Sequence, residues 1–199
     1  MITLNYNGIN FIIDLDTSIQ GLHKVISPAI KDDRGSFMRG WEKSNYHTMG
    51  LDADWKQDNF SISKKGVLRG LHFQTHSHAQ LKFVKILNGS VMDVVVDLRK
   101  DSDTYGQSYW TKLTAVGGEM LWIPRGFAHG FLALEDDTVM AYKCDNFYSA
   151  MASSGLVWDD ASLNIPWEEW KTEYNIDQFI ISEQDLNWEG INNIQAQVI

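Results

Sequence analysis

The chain has 199 residues, a formal net charge of −9 at pH 7, and 44% hydrophobic against 22% charged residues. That balance excludes a disordered or fibrous polypeptide and suits a globular protein with a substantial core. The acidic excess argues against nucleic acid and anionic membranes as partners, because both are polyanions.

No apolar run reaches the roughly 18 residues needed to span a bilayer, and the N-terminus lacks the basic-then-apolar order of a signal peptide. A cytoplasmic protein is expected, one domain over 1–199, with a core from about 22 to 167 and loops and short helices over 168–199. The single cysteine, Cys144, leaves neither an internal disulfide nor a thiolate cluster for zinc, and its strand-like neighbours predict a small buried side chain.

In chain order, the apolar patch Ile9 to Ile13 either pairs as an extra strand or exchanges with a partner. Strands are predicted over His23 to Ile26 and Gly35 to Trp41, then a helix over Glu42 to Met49, then strands over Trp55 to Ile62 and Val67 to Gln74. Gln80 to Leu87 and Ser90 to Leu98 are rich in β-branched and apolar residues and flank Asn88–Gly89, a two-residue hairpin turn. Further strands follow over Gln107 to Ala115, Met120 to Ile123, Gly130 to Leu134 and Thr138 to Cys144. Beyond Pro166 the alternation fades into loops over one barrel mouth, with short turns near Asp160 to Leu163 and Glu183 to Trp188. Many short strands at this spacing indicate an all-β fold, an antiparallel barrel or sandwich of jelly-roll type with a few short helices.

Within this frame, Gln57 to Gln74 carries the most chemistry: two strands joined by a turn, with His72 close behind Arg69. An imidazole and a guanidinium on one wall of a β-cavity supply a base and an anion anchor. Alternation from Val91 puts Asp93, Val95 and Asp97 on one strand face. If that face lines the interior its carboxylates need partners, and His129, held in a loop by Pro124, Gly126 and Gly130, is a natural one; the other reading is a solvated face. His76 and His78 have the spacing of metal ligands on a strand, yet no glutamate follows and the segment has loop character, so no metal is expected there. Glycine-rich phosphate loops and nucleophile elbows are absent from the sequence.

The segments QDNFSISKKGVLRGLHFQ, VMDVVVDLRKDSDTYGQ, MLWIPRGFAHGFLAL, YKCDNFY and VWDDASLNIPW resemble, in that order, the dTDP-4-dehydrorhamnose 3,5-epimerase family of metal-free cupins. The similarity runs from about Asp32 to Trp167, with an echo in ISEQD. It implies a cofactor-free isomerase with a cupin-like jelly roll, a homodimer formed through its sheets, and a nucleotide-diphosphate sugar as substrate. By the same resemblance His72 is the base, Asp185 orients it, Tyr142 is the acid on the opposite face of the sugar, and Lys82 stabilises the enolate. Asp159 and Asp160 are alternatives for the orienting carboxylate. Arg34 and Arg69 correspond to residues that hold the diphosphate, Gln57 and Asn59 to residues near nucleotide and sugar, and Phe37 to a ring beside the base that reaches the neighbouring subunit. Tyr148 matches a pocket aromatic, and His129 with Asp93 a second histidine–aspartate pair that shapes charge.

Two positions depart from the family pattern. Arg39 and Arg125 stand where glutamates are usual, and an acceptor replaced by a donor at a base-reading position leaves a base other than thymine open. Three functions remain: a C3 and/or C5 epimerase of a nucleotide-diphospho-4-keto-6-deoxyhexose, a single-centre epimerase or ketoisomerase on another nucleotide sugar such as a CDP-sugar, and a non-catalytic sugar-nucleotide-binding barrel.

Overall fold

Strand pairing organises the chain into two facing antiparallel sheets. A computed structural model describes residues 2–6, 9–14 and 18–194, with side chains from 18 onward. In chain order the strands are β1 (Ile2–Tyr6), β2 (Ile9–Asp14), β3 (His23–Ile26), β4 (Ile30–Asp32), β5 (Gly35–Phe37), β6 (Gln57–Ser63), β7 (Leu68–Gln74), β8 (Lys82–Asn88) and β9 (Ser90–Asp97). They continue with β10 (Ser108–Thr114), β11 (Glu119–Ile123), β12 (Phe127–Ala133), β13 (Thr138–Cys144) and β14 (Ser153–Gly155); the helices are α1 (Lys43–Thr48), α2 (Trp167–Glu173) and α3 (Glu183–Leu186). One sheet runs β1-β2-β3-β11-β8-β13-β6, the other β10-β9-β12-β7-β14, and β4-β5 form a small separate ribbon.

This is the jelly roll the sequence predicts. The Asn88–Gly89 turn connects β8 to β9 with Gly89 at φ 76°, a conformation that a residue with a Cβ adopts only under strain. The Ile9–Ile13 patch lies in β2 and pairs with β3 as an extra strand.

Three apolar layers hold the sheets. Val84, Ile86, Leu121 and Met140 meet Val91, Val95, Phe127 and Phe131 between them. Outside the seven-stranded sheet, Tyr46, Leu51, Trp41 and Trp55 cover Val25, Phe83 and Trp122. Outside the five-stranded sheet, Trp167, Trp170, Ile176 and Ile191 cover Met92, Val94, Val96 and Leu132. That third layer adds to one sequence reading and decides between two others. Residues past Pro166 do not simply loop over a mouth: Trp167 and Trp170 occupy one side of α2 and bury against the sheet, a short 3.6-period stripe. β9 is buried along its whole length, so neither of its faces is solvated.

Two further boundaries differ. The strand expected over Gly35 to Trp41 ends at Phe37, because the chain turns back to place Trp41 in the aromatic cluster with Tyr46 and Trp55. β12 starts at Phe127 rather than Gly130, and because every residue of it is buried no polar alternation marks its start.

Candidate active site

Side chains from both sheets and the C-terminal segment converge on one cavity of about 720 Å³. β7 contributes Arg69 and His72, β8 Lys82, β12 His129, and β13 Tyr142; Asp185 from α3 and Tyr148 from the loop after β13 complete the wall. His72 and Tyr142 thus face the same space.

His72 stands at the end of a chain of hydrogen bonds. Its Nε2 lies 2.6 Å from Asp185 Oδ1, and its side chain keeps 42% of its surface exposed whereas that of Asp185 keeps 5%. The second oxygen, Oδ2, accepts the Gly70 backbone N–H at 3.1 Å, and Oδ1 also accepts the Trp188 indole N–H at 3.3 Å. Ser182 caps α3 by accepting the Asp185 backbone N–H at 3.1 Å, which fixes where the carboxylate leaves the chain. Burial pushes the Asp185 carboxyl upward, but the His72 hydrogen bond and charge, the Gly70 N–H and the Trp188 N–H outweigh it, so the pKa is lowered. Asp160 instead accepts from Ser162 and the Ile191 backbone. The carboxylate at His72 is therefore Asp185, and among the described residues neither Asp159 nor Asp160 takes that place.

Glycine makes the strand contact beneath this pair. A Cβ at Gly70 would stand 2.6 Å from Gly130 Cα and 2.9 Å from the His129 carbonyl oxygen, and φ there is +127°. The β7–β12 register shifts between His129 and Phe131 at the same point, with His129 paired opposite His72. His129 Nε2 contacts both oxygens of Asp93 at 3.1 and 3.0 Å, and both residues are buried. The partner that strand alternation predicts for the interior carboxylate is thus the one found, while Asp97 is held by Arg99, Ser102 and Thr104.

Lys82 donates to the His72 carbonyl at 3.2 Å. Burial drives its pKa down, opposed by Cys144 and Asp93. Burial also raises the Tyr142 phenol, with Cys144 adding to the rise and Arg69 opposing it, so Tyr142 keeps its proton at neutral pH. Cys144 is buried, accepts from Asn59 Nδ2 at 3.8 Å, and burial pushes its thiol up to about 11. Arg69 is exposed at the cavity and is steadied by Ser63 Oγ at 3.2 Å.

Not every predicted residue reaches this space. Gln57 and Asn59 lie on β6, engaged by Gln80 and Cys144, short of the cavity wall that Ser61 forms. Arg34 pairs with Asp32 on the exposed β4–β5 ribbon, where Phe37 is 58% exposed, so within one chain neither lines the cavity. Arg39 pairs with Glu42 at 2.7 Å and Arg125 with Asp145 at 2.9 Å, both away from the cavity wall. His76–His78 wind as a 3-10 turn, as the loop reading requires. Gln80, Ser61, Ser182 and Trp188 carry no signal of a site role in the sequence, although Ser182-x-x-Asp185 has the signature of a capped helix start.

Residues 16–193 match the family model described as dTDP-4-dehydrorhamnose 3,5-epimerase. The chain belongs to this family. A dTDP-4-dehydrorhamnose 3,5-epimerase from Methanothermobacter thermautotrophicus is 42% identical over 177 residues, covering 89% of this chain and 93% of that protein. The crystal structure of the Bacillus anthracis enzyme with TDP and PPi bound superposes with a TM-score of 0.82 at 36% identity, over 89% of this chain and 98% of that one. A Legionella pneumophila dTDP-6-deoxy-D-glucose-3,5-epimerase in complex with dTDP-4-keto-L-rhamnose gives 0.85 at 35% identity, over 94% and 95%. The protein is accordingly an enzyme, an epimerase of this family on its jelly-roll fold.

Proposed function

We propose that this epimerase inverts C3 and C5 of a dTDP-4-keto-6-deoxyhexose, working in the cytoplasm as a homodimer. The observation that carries the reading is the 2.6 Å contact between buried Asp185 and half-exposed His72, opening on a cavity that Tyr142 also lines.

A proton on carbon next to a ketone is acidic because the resulting enolate delocalises onto oxygen. His72 removes that proton, and Asp185 holds the ring and stabilises the imidazolium that forms. Lys82, made a better donor by burial, stabilises the enolate oxygen. Tyr142, protonated at neutral pH, returns a proton to the opposite face. Arg69 anchors the diphosphate, and Asp93–His129 sets the charge behind the sugar. Tyr148 contacts the nucleotide and sugar, and Gln57 supports the wall by accepting a hydrogen bond from Gln80. Arg34 and Phe37 serve the partner's cavity, which accounts for their exposure on a ribbon outside their own.

Thymine is favoured as the base because the relatives are dTDP-sugar enzymes and because Arg39 and Arg125 are already engaged by Glu42 and Asp145. The test is turnover of dTDP-4-keto-6-deoxyglucose in D2O. Deuterium at both C3 and C5 is expected; label at one carbon reduces the enzyme to a single-centre epimerase, and none removes the epimerase reading.

A further inference from the structure

Asp185 receives a hydrogen bond that the proton-transfer chemistry does not require, and its donor sits in an unusual place. Trp188 Nε1 donates to the same oxygen that meets His72, and its ring lies edge-on to the imidazole at 6.5 Å between centroids and 74° between planes. The indole reaches that position across Gly155, which pairs with His72 in the β14–β7 ladder. A Cβ at Gly155 would lie 2.5 Å from Trp188 Nε1 and 2.6 Å from Cε2, so the indole occupies the space a side chain would take. Hydrogen bonds hold its segment on both sides: the Ser182 hydroxyl capping α3 before it, and the Val157 N–H to Glu189 carbonyl bond, 3.0 Å, after it. Behind it opens a polar cleft of about 750 Å³, lined by Ser154, Asn187, Asn192 and Asn193 as well as Trp188.

From this arrangement we infer that Trp188 is a positioning residue for epimerisation: its N–H, delivered across Gly155, locks Asp185 toward His72, and its ring closes the pair from the cleft behind. The inference rests on the proposed role of His72 as base. Asp185 Oδ1 divides its charge between two donors. With the indole donor gone, the carboxylate binds the imidazolium more strongly and loses one restraint on its rotamer. Protonated His72 is then favoured, so a smaller fraction of it can accept a proton at a given pH.

Trp188→Phe keeps the aromatic packing and removes the donor. The expected result is a fall in kcat of about threefold to tenfold, KM within twofold of wild type, and an acid limb of the kcat/KM profile moved up by about 0.5 pH unit, the size of one ordinary hydrogen bond. Gly155→Ala, which displaces the indole while leaving Trp188 in place, shifts the limb in the same direction. An unmoved acid limb in both variants overturns the proposal, whether activity is unchanged or falls only with KM or melting temperature. His72→Ala run beside them reports on the epimerase reading alone: its loss of turnover with unmoved limbs in the other two sinks only the role of Trp188.

Discussion

Two histidine–aspartate pairs, with their histidines opposite one another on the neighbouring strands β7 and β12, differ mainly in how open they are. His129 and Asp93 keep side-chain exposures of only 7% and 0%, His129 just reaching the cavity wall, whereas His72 keeps 42% beside an Asp185 at 5%. The same two functional groups thus stand nearly buried in one place and open to the cavity in the other. In the proposed mechanism the nearly buried pair shapes the site, while a half-exposed imidazole backed by a buried carboxylate is placed to move a proton.

The contrast yields tests. His72→Ala should lower turnover by about 10²–10⁴-fold with nucleotide affinity largely kept, as for loss of a general base, measured by steady-state kinetics and dTDP titration. Turnover near wild type would erase the distinction between the pairs. Asp93→Ala should cost about 3 kcal/mol of stability in denaturant unfolding, because it strands the buried His129 without its partner; a change within experimental scatter would mean that the inner pair is not the structural one. The smallest effect concerns acid. Asp185 has a lowered carboxyl pKa in the fold, so its contribution to stability is present above the unfolded value near 3.9 and is lost as pH falls through the folded one. Asp185→Asn should therefore flatten part of the stability loss below about pH 4. A variant whose acid unfolding curve overlays the wild type would show that the carboxylate gains nothing from its partners.

Legibility follows the range of the interactions. The β8–β9 hairpin is readable because the turn dipeptide and its flanking strands are contiguous, and β13 falls on its predicted span, Thr138 to Cys144. Strand alternation and the buried-charge requirement point to a histidine for Asp93 or Asp97, and the family resemblance narrows this to Asp93 with His129. α2 escapes a reading of the sequence although Trp167 and Trp170 carry its apolar stripe, since two aromatics in a short segment fit a loop equally well until a sheet face is there to receive them. The position of the β4–β5 ribbon is equally hidden, because nothing local tells an arginine such as Arg34 whether it serves its own cavity.

By itself the sequence determined the strand periods, the turn glycines, the residue types able to move a proton and the family those motifs resemble. Only the tertiary structure decided among Asp159, Asp160 and Asp185, bringing the last, 113 residues from His72, to its imidazole, and only it covered both faces of β9 and β12. The reason is physical: periodicity and turn chemistry act between near neighbours, whereas burial and the pairing of charges depend on which distant segment folds against them.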